Sequence, residues 1–225
     1  MEPVRFSTHD GISLEGELRM PERTPFGSAV ICHAHPRHGG TKDHPILWAV
    51  RNELAQRGFV VLSFDFRGTM RSAGSHGGGR TETNDVEAAI GWVRTRATGV
   101  TIVCGWSFGA AVALREALTD DRASALALIG LPLAPADVEV PAPPEAAELR
   151  AFRRPVLLLA GEADAHCPAP ALEDLGRTLP SAEVVILPGT DHFLWRRERE
   201  AAGVIGAFAT RVLGLMDAEP GEPPP

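Results

Sequence analysis

The pentapeptide Gly105-Trp106-Ser107-Phe108-Gly109 sets one hydroxyl between two glycines, the spacing of the G-x-S-x-G pattern. A serine held on a sharp strand-to-helix turn is crowded by side chains two positions away on either side, and glycine removes that crowding. Such a turn offers the hydroxyl as a nucleophile, but a serine is barely ionised at neutral pH and needs a positioned base. Only His166 and His192 follow Ser107 in the chain. His192 stands between a last apolar strand and a last helix, so it is the expected base, while His166 adjoins the expected acid loop. The acid is expected just after a strand too. Pro155–Ala160 is such a strand and Gly161-Glu162-Ala163-Asp164 follows it, which makes Asp164 the expected partner, holding the His192 tautomer and stabilising the imidazolium. Asp137, after the preceding strand, is its rival. Asp191 is too close in sequence to face the ring of His192, and Glu162 reads as a turn residue.

Attack on a carbonyl also requires donors aimed at the oxygen that becomes negative, and losing one typically costs ~3–4 kcal/mol of barrier. The backbone N–H of Phe108 is the first expected donor. The second is expected from the early loop His33-Ala34-His35-Pro36-Arg37-His38-Gly39-Gly40. Pro36 has no N–H, so His35 is the candidate and Arg37 the next. The Arg37 and His38 side chains are candidates for contact with an anionic group at the mouth of a site. Trp106, Phe108, Met70, Phe193 and Trp195 are candidates for an apolar wall. His33, His35, His38 and His44 crowd one region, but their spacing is not that of H-E-x-x-H and no carboxylate-rich ligand set accompanies them. No metal and no cofactor are expected.

The elements that must position these groups alternate in type. Arg5–Thr8 and Ile12–Arg19 read as a hairpin joined at Asp10-Gly11. Further strands are expected at Ser28–His33, Phe59–Phe64, Val100–Gly105, Ala125–Leu131, Pro155–Ala160 and Glu183–Leu187. The internal runs are apolar throughout, as strands covered on both faces are. Helices are expected over Pro45–Arg57, Asn84–Arg96, Phe108–Leu118 and Arg197–Leu215, from apolar residues at helical spacing. The rhythm predicts an α/β fold: a mostly parallel sheet of about eight strands with helices on both faces. Pro132–Arg154, rich in Pro, Ala and Glu, is expected as a loop, a short lid or a small helix. Residues 1–217 read as one domain and 218–225 as a proline-rich disordered tail.

At 225 residues with 44% hydrophobic and 23% charged content, the chain suits a single buried core. The formal net charge is −7, Lys42 is the only lysine, and no basic run tracks a phosphate backbone, so nucleic acid is not an expected partner. No apolar run is long enough to span a bilayer, and the start lacks the pattern of a signal peptide. Cys32, Cys104 and Cys167 form no CxxC pair, which with these features predicts a reduced, cytoplasmic protein. A monomer or homodimer is the expected state.

Taken together, His33-Ala-His-Pro-x-x-Gly-Gly40, Asp65-Phe-Arg-Gly68, Gly105-Trp-Ser-Phe-Gly109 and Asp191-His192-Phe193 resemble the α/β-hydrolase superfamily. The nearest likeness is to small bacterial members related to dienelactone hydrolases and acyl-peptide hydrolases. The resemblance covers about Val4 to Leu215. It implies an α/β-hydrolase fold, a Ser107-Asp164-His192 triad, and a backbone oxyanion hole at Phe108 and His35. Dienelactone hydrolase proper uses a cysteine nucleophile, which Ser107 speaks against. In this superfamily the Asp65–Gly68 stretch braces loops by ion pairing. Only about twenty residues follow the strand ending near Leu131, so little or no cap is expected, with a short or partly exposed acyl group as substrate. The implied activity is hydrolysis of a carboxylic ester or thioester of a small acyl group through an acyl-enzyme. A peptidase or amidase on small peptides is the enzymatic alternative. A non-catalytic binding protein retaining the fold is the alternative of another class.

Overall fold

The computed structural model describes residues 1–134 and 139–217. Asp137 and the 218–225 tail therefore lie outside the described residues.

Eight strands form a single sheet: β1 (Glu2–Ser7), β2 (Ser13–Arg19), β3 (Gly27–Cys32), β4 (Phe59–Phe64), β5 (Val100–Trp106), β6 (Ala125–Ile129), β7 (Val156–Gly161) and β8 (Ala182–Leu187). Their spatial order is β1-β2-β4-β3-β5-β6-β7-β8. The β1–β2 hairpin and the β2–β4 pair are antiparallel; every other pairing is parallel. The hairpin turns at Gly11, whose φ of 82° suits glycine and whose N–H donates to Thr8 O.

Period-two alternation divides the internal strands between two cores. Val30, Cys32, Val103, Leu158 and Ala160 face one side, packed with α2 (Glu82–Arg94), α3 (Phe108–Ala117) and α5 (Ala169–Thr178). Ala29, Ile31, Ile102, Cys104, Leu157 and Leu159 face the other, covered by α1 (Pro45–Gln56) and α6 (Glu198–Asp217). Burial on both faces is why these strands carry almost no polar residues. No helix among the described residues is long and apolar enough to cross a membrane.

One helix, α5, appears where the sequence suggested none, and α4 (Ala146–Ala151) realises the small helix that was one of the options for its segment. α5 begins on prolines, which the first turn tolerates because its N–H groups lack intrahelical partners. It buries Leu172 alone completely, so its apolar stripe is thin. α4 lies inside the Pro132–Arg154 connection and is held by a capping box between Glu145 and Glu148. That connection carries one six-residue helix among its described residues.

Strand order reverses at β3, whose neighbours are β4 and β5, and open α/β sheets bind ligands at such a switch point. Register pairs Cys32 with Gly105, so the loop after β3 and the turn after β5 emerge side by side.

Candidate active site

Ser107 occupies the turn between β5 and α3 with φ 55° and ψ −119°, a conformation that non-glycine residues rarely adopt. Its N–H donates to Ile129 O at 2.8 Å and its carbonyl accepts from Ala110 and Ala111, so the strain is pinned from both sides. The flanking glycines have specific reasons. A Cβ on Gly105 would sit 2.4 Å from Gly109 O and 2.6 Å from the Ala110 Cα, and one on Gly109 would sit 2.4 Å from Cys32 O. The turn closes only without those side chains.

The loop after β8 brings His192 over this turn. Ser107 Oγ–H donates to His192 Nε2 at 3.0 Å, and His192 Nδ1–H donates to Asp164 Oδ2 at 2.8 Å. Asp164, 3% exposed, follows β7 and accepts the His166 and Cys167 N–H groups on Oδ1, both at 2.9 Å. One carboxylate oxygen is thus held by backbone, leaving the other for the imidazole. Trp106 Nε1–H donates to the His192 carbonyl at 3.2 Å, fixing the backbone of the histidine loop. The hydroxyl, base and acid expected from the sequence are therefore one hydrogen-bonded chain, which can abstract the serine proton and hold the resulting imidazolium.

Below the pair lies Gly130, just past β6, with φ 54°. A Cβ there would approach His192 Cε1 to 3.0 Å and Asp164 Oδ2 to 3.1 Å. Sequence reading placed Gly130 inside a strand, and a lone glycine after an apolar run carries no signal of what it adjoins.

The early loop forms the opposite wall. Phe108 opens α3, and first-turn N–H groups have no intrahelical acceptor, so its N–H can face an incoming oxyanion. His35 precedes a single 3₁₀ turn (Pro36–His38). Its Nε2–H donates to Glu139 O at 2.9 Å and its Nδ1 accepts the Arg37 N–H at 3.2 Å. Burial pushes the His35 imidazole below its usual range, in keeping with the neutral ring that this pattern requires. His33 is fully buried. It accepts the Phe66 N–H on Nε2 at 3.0 Å and donates from Nδ1 to Ala34 O at 2.6 Å. Desolvation lowers its pKa to about 4, so it stays neutral. The Lys42 ammonium, beside the same loop, contacts Asp65 Oδ2 at 3.0 Å and Glu15 Oε1 at 3.7 Å, while the Lys42 backbone N–H donates to Asp65 Oδ1. Arg67 pairs with Asp85 and Asp10, so Asp65 and Arg67 both brace loops.

A cavity of about 210 Å³ opens above Ser107. One side is the oxyanion loop with His35 and His38, another is His44, Trp106 and Phe193, and a third is Pro132, Val140 and His166. Trp106, Phe193 and His38 line it as expected. Met70 and Arg37 do not. Met70 sits at φ 49° in the turn after β4, is 70% exposed and is not part of the cavity lining. Arg37 lies in the 3₁₀ turn, where His35 captures its N–H and its side chain extends into solvent. The Phe108 ring is fully buried against His35 and His76, and Trp195 stacks outside Phe193. His44 and His166 went unassigned to the pocket because their places in the wall depend on tertiary packing, not on motif spacing. Among the described residues, no three His, Cys, Asp or Glu side chains converge as a metal site would require.

The family model described as Alpha/beta hydrolase domain matches residues 27–210. An uncharacterized protein of Rickettsia prowazekii (strain Madrid E) is 24% identical over 216 residues, spanning 92% of this chain and 88% of its own length. An a/b serine hydrolase of Xanthomonas campestris, described as without a lid, superposes with a TM-score of 0.78 at 27% identity, covering 98% of this chain and 96% of that one. A Pyrococcus furiosus esterase shares the fold, with a TM-score of 0.79 at 18% identity over 95% of this chain and 93% of its own.

Proposed function

From the premise that the chain belongs to the alpha/beta hydrolase domain family, we propose that it is a serine hydrolase of carboxylic esters or thioesters with a small acyl group. The observation that carries this reading is the relay from Ser107 Oγ through His192 to Asp164, with links of 3.0 and 2.8 Å. In this mechanism His192 Nε2 takes the serine proton as Oγ attacks the carbonyl carbon. The N–H groups of Phe108 and His35 stabilise the oxyanion, and the imidazolium returns the proton to the leaving oxygen or sulfur. Water then attacks the acyl-enzyme with His192 again as base, and collapse releases the acid and free Ser107.

The cavity size supports a small acyl group. At about 210 Å³ it falls short of the ~300–1,000 Å³ typical of drug-sized ligands. Among its described residues the Pro132–Arg154 connection carries one short helix, α4, and adds only Pro132 and Val140 to the lining, which agrees with a site having little or no cap. The lidless description of the Xanthomonas campestris relative points the same way.

The test is covalent labelling by a fluorophosphonate probe together with turnover of p-nitrophenyl acetate and butyrate. The wild type is expected to label and turn over, and Ser107→Ala to do neither. Equal behaviour of the two proteins sinks the proposal.

A further inference from the structure

We propose that Phe193 and Trp195, backed by His44 and Trp106, form a leaving-group subsite that selects esters whose alcohol part is an aryl ring. This rests on the hydrolase reading and names its substrate class.

The loop after His192 is built to hold two aromatic rings together at the rim. Leu194 has φ 53° and Arg196 has φ 64°, in a region that L side chains rarely adopt. The left-handed turn at Leu194 sends that side chain into the core, where it is 1% exposed. Its neighbours emerge on the opposite side as a stack, with the Phe193 and Trp195 rings 6.0 Å apart and inclined by 20°. They remain 43% and 53% exposed. Unusual backbone geometry that leaves two large apolar rings half in water beside a reactive centre calls for a ligand.

The stack is continuous with the cavity. Phe193 lines it, and His44 bridges inward, its ring 5.8 Å from Trp195, 6.3 Å from Phe193 and 4.1 Å from Trp106. A row of flat surfaces thus runs from beside Ser107 to solvent. Its position assigns it to the leaving group. The departing oxygen must come within hydrogen-bond reach of His192 Nε2 to receive its proton. The substituent on that oxygen then leaves along the wall next to His192, and Phe193 is on the same loop with its ring 5.8 Å from the imidazole.

Among the described residues no Asp, Glu, Lys or Arg lines the cavity; its ionisable side chains are the imidazoles of His35, His38, His44, His166 and His192. A dry cavity of ~150 Å³ accommodates benzene, so about 210 Å³ has room for a small acyl group and part of the alcohol. A ring on the alcohol side that extends outward along this wall meets Phe193 and then Trp195, where offset or edge contacts with aromatic faces favour it over an alkyl group.

The experiment compares kcat/KM for phenyl acetate with that for the acetate of a fluorinated alkyl alcohol of matched acidity. Wild type is expected to prefer the aryl ester. Trp195→Ala and Phe193→Leu are expected to lower the aryl-to-alkyl ratio by about 5- to 30-fold, mainly through KM, the range expected for aromatic contact plus lost area. Calorimetric titration of 2-naphthol into Ser107→Ala reads the aromatic stack without turnover, and adding Trp195→Ala is expected to weaken binding at least fivefold. An unchanged ratio with unchanged naphthol affinity overturns the proposal. So does dimerisation that Trp195→Ala abolishes while the ratio stays constant, because the rings would then serve self-association. Naphthol binding by a protein that hydrolyses neither ester overturns the hydrolase reading alone.

Discussion

Gly130 lies directly beneath His192, close enough that a methyl group built on it would sit 3.0 Å from the ring carbon Cε1. The same methyl would come within 3.1 Å of Asp164 Oδ2, so one position controls how closely acid and base settle over β6. Gly130→Ala is expected to lower kcat for p-nitrophenyl acetate by about 10- to 100-fold, as misplacements on the order of an ångström do. Its left-handed φ of 54° adds about 1 kcal/mol or more of backbone strain, readable as a lower Tm. Wild-type kcat in the folded variant would show that the glycine spaces nothing.

Asp164 divides its work between two oxygens, which makes Asp164→Asn informative. The amide can keep its oxygen toward the His166 and Cys167 N–H groups, but its NH₂ then faces His192 Nδ1. That favours the tautomer with the proton on Nε2, which cannot accept from Ser107. A fall in kcat of about 10³- to 10⁴-fold is expected with little change in Tm. Steady-state kinetics and thermal unfolding check the two halves separately, and a loss under tenfold argues that Asp164 is not the orienting acid.

Lys42 and Asp65 are both buried, at 5% and 0% exposure, and Lys42 is the cation paired with the Asp65 carboxylate. Lys42→Met is expected to destabilise the fold by about 3–5 kcal/mol, the cost of leaving a buried carboxylate unpaired. Lys42→Met with Asp65→Asn should recover part of that loss in urea unfolding. An additive double variant would mean that the pair is not coupled.

Glu116 is 3% exposed, both of its oxygens lack a hydrogen-bond donor, and burial pushes its pKa from an ordinary 4.5 up to about 9. Between these two values the unfolded chain releases a proton that the folded protein keeps. Stability attributable to this group therefore declines as pH rises through that window and levels off above it. Glu116→Gln removes the decline. Thermal unfolding from pH 5 to pH 9 should show the variant gaining on wild type by about 1–3 kcal/mol at the alkaline end. Parallel curves would contradict the assignment.

Much of this arrangement was legible in the chain because it follows from local rules. Apolar runs of strand length, Gly105 and Gly109 around Ser107, and the placing of Asp164 and His192 after strands each reflect backbone constraints visible within a few residues. What escaped was set by packing between distant segments. Gly130 shows its purpose only once β7 and β8 deliver Asp164 and His192 above it. α5 is polar on average and fully buries Leu172 alone, so its short apolar stripe is easily passed over beside the apolar runs of the strands. Met70 and Arg37 adjoin motifs in sequence, yet the turns carrying them face outward, and nothing in residue type reveals the direction of a turn. His44 reaches the cavity wall as the residue that precedes α1, a place set by how that helix packs on the sheet and not by motif spacing.

The seclusion of Lys42 has a practical consequence, since no other side chain in the protein carries a primary amine. Amine-directed dyes, cross-linkers and activated resins will find no lysine handle on the folded molecule, and the guanidinium groups of its arginine-rich exterior do not react with acylating reagents. Incorporation of such a reagent at position 42 would instead time the opening of the segment between β3 and α1, a built-in gauge of local unfolding beside the reactive serine.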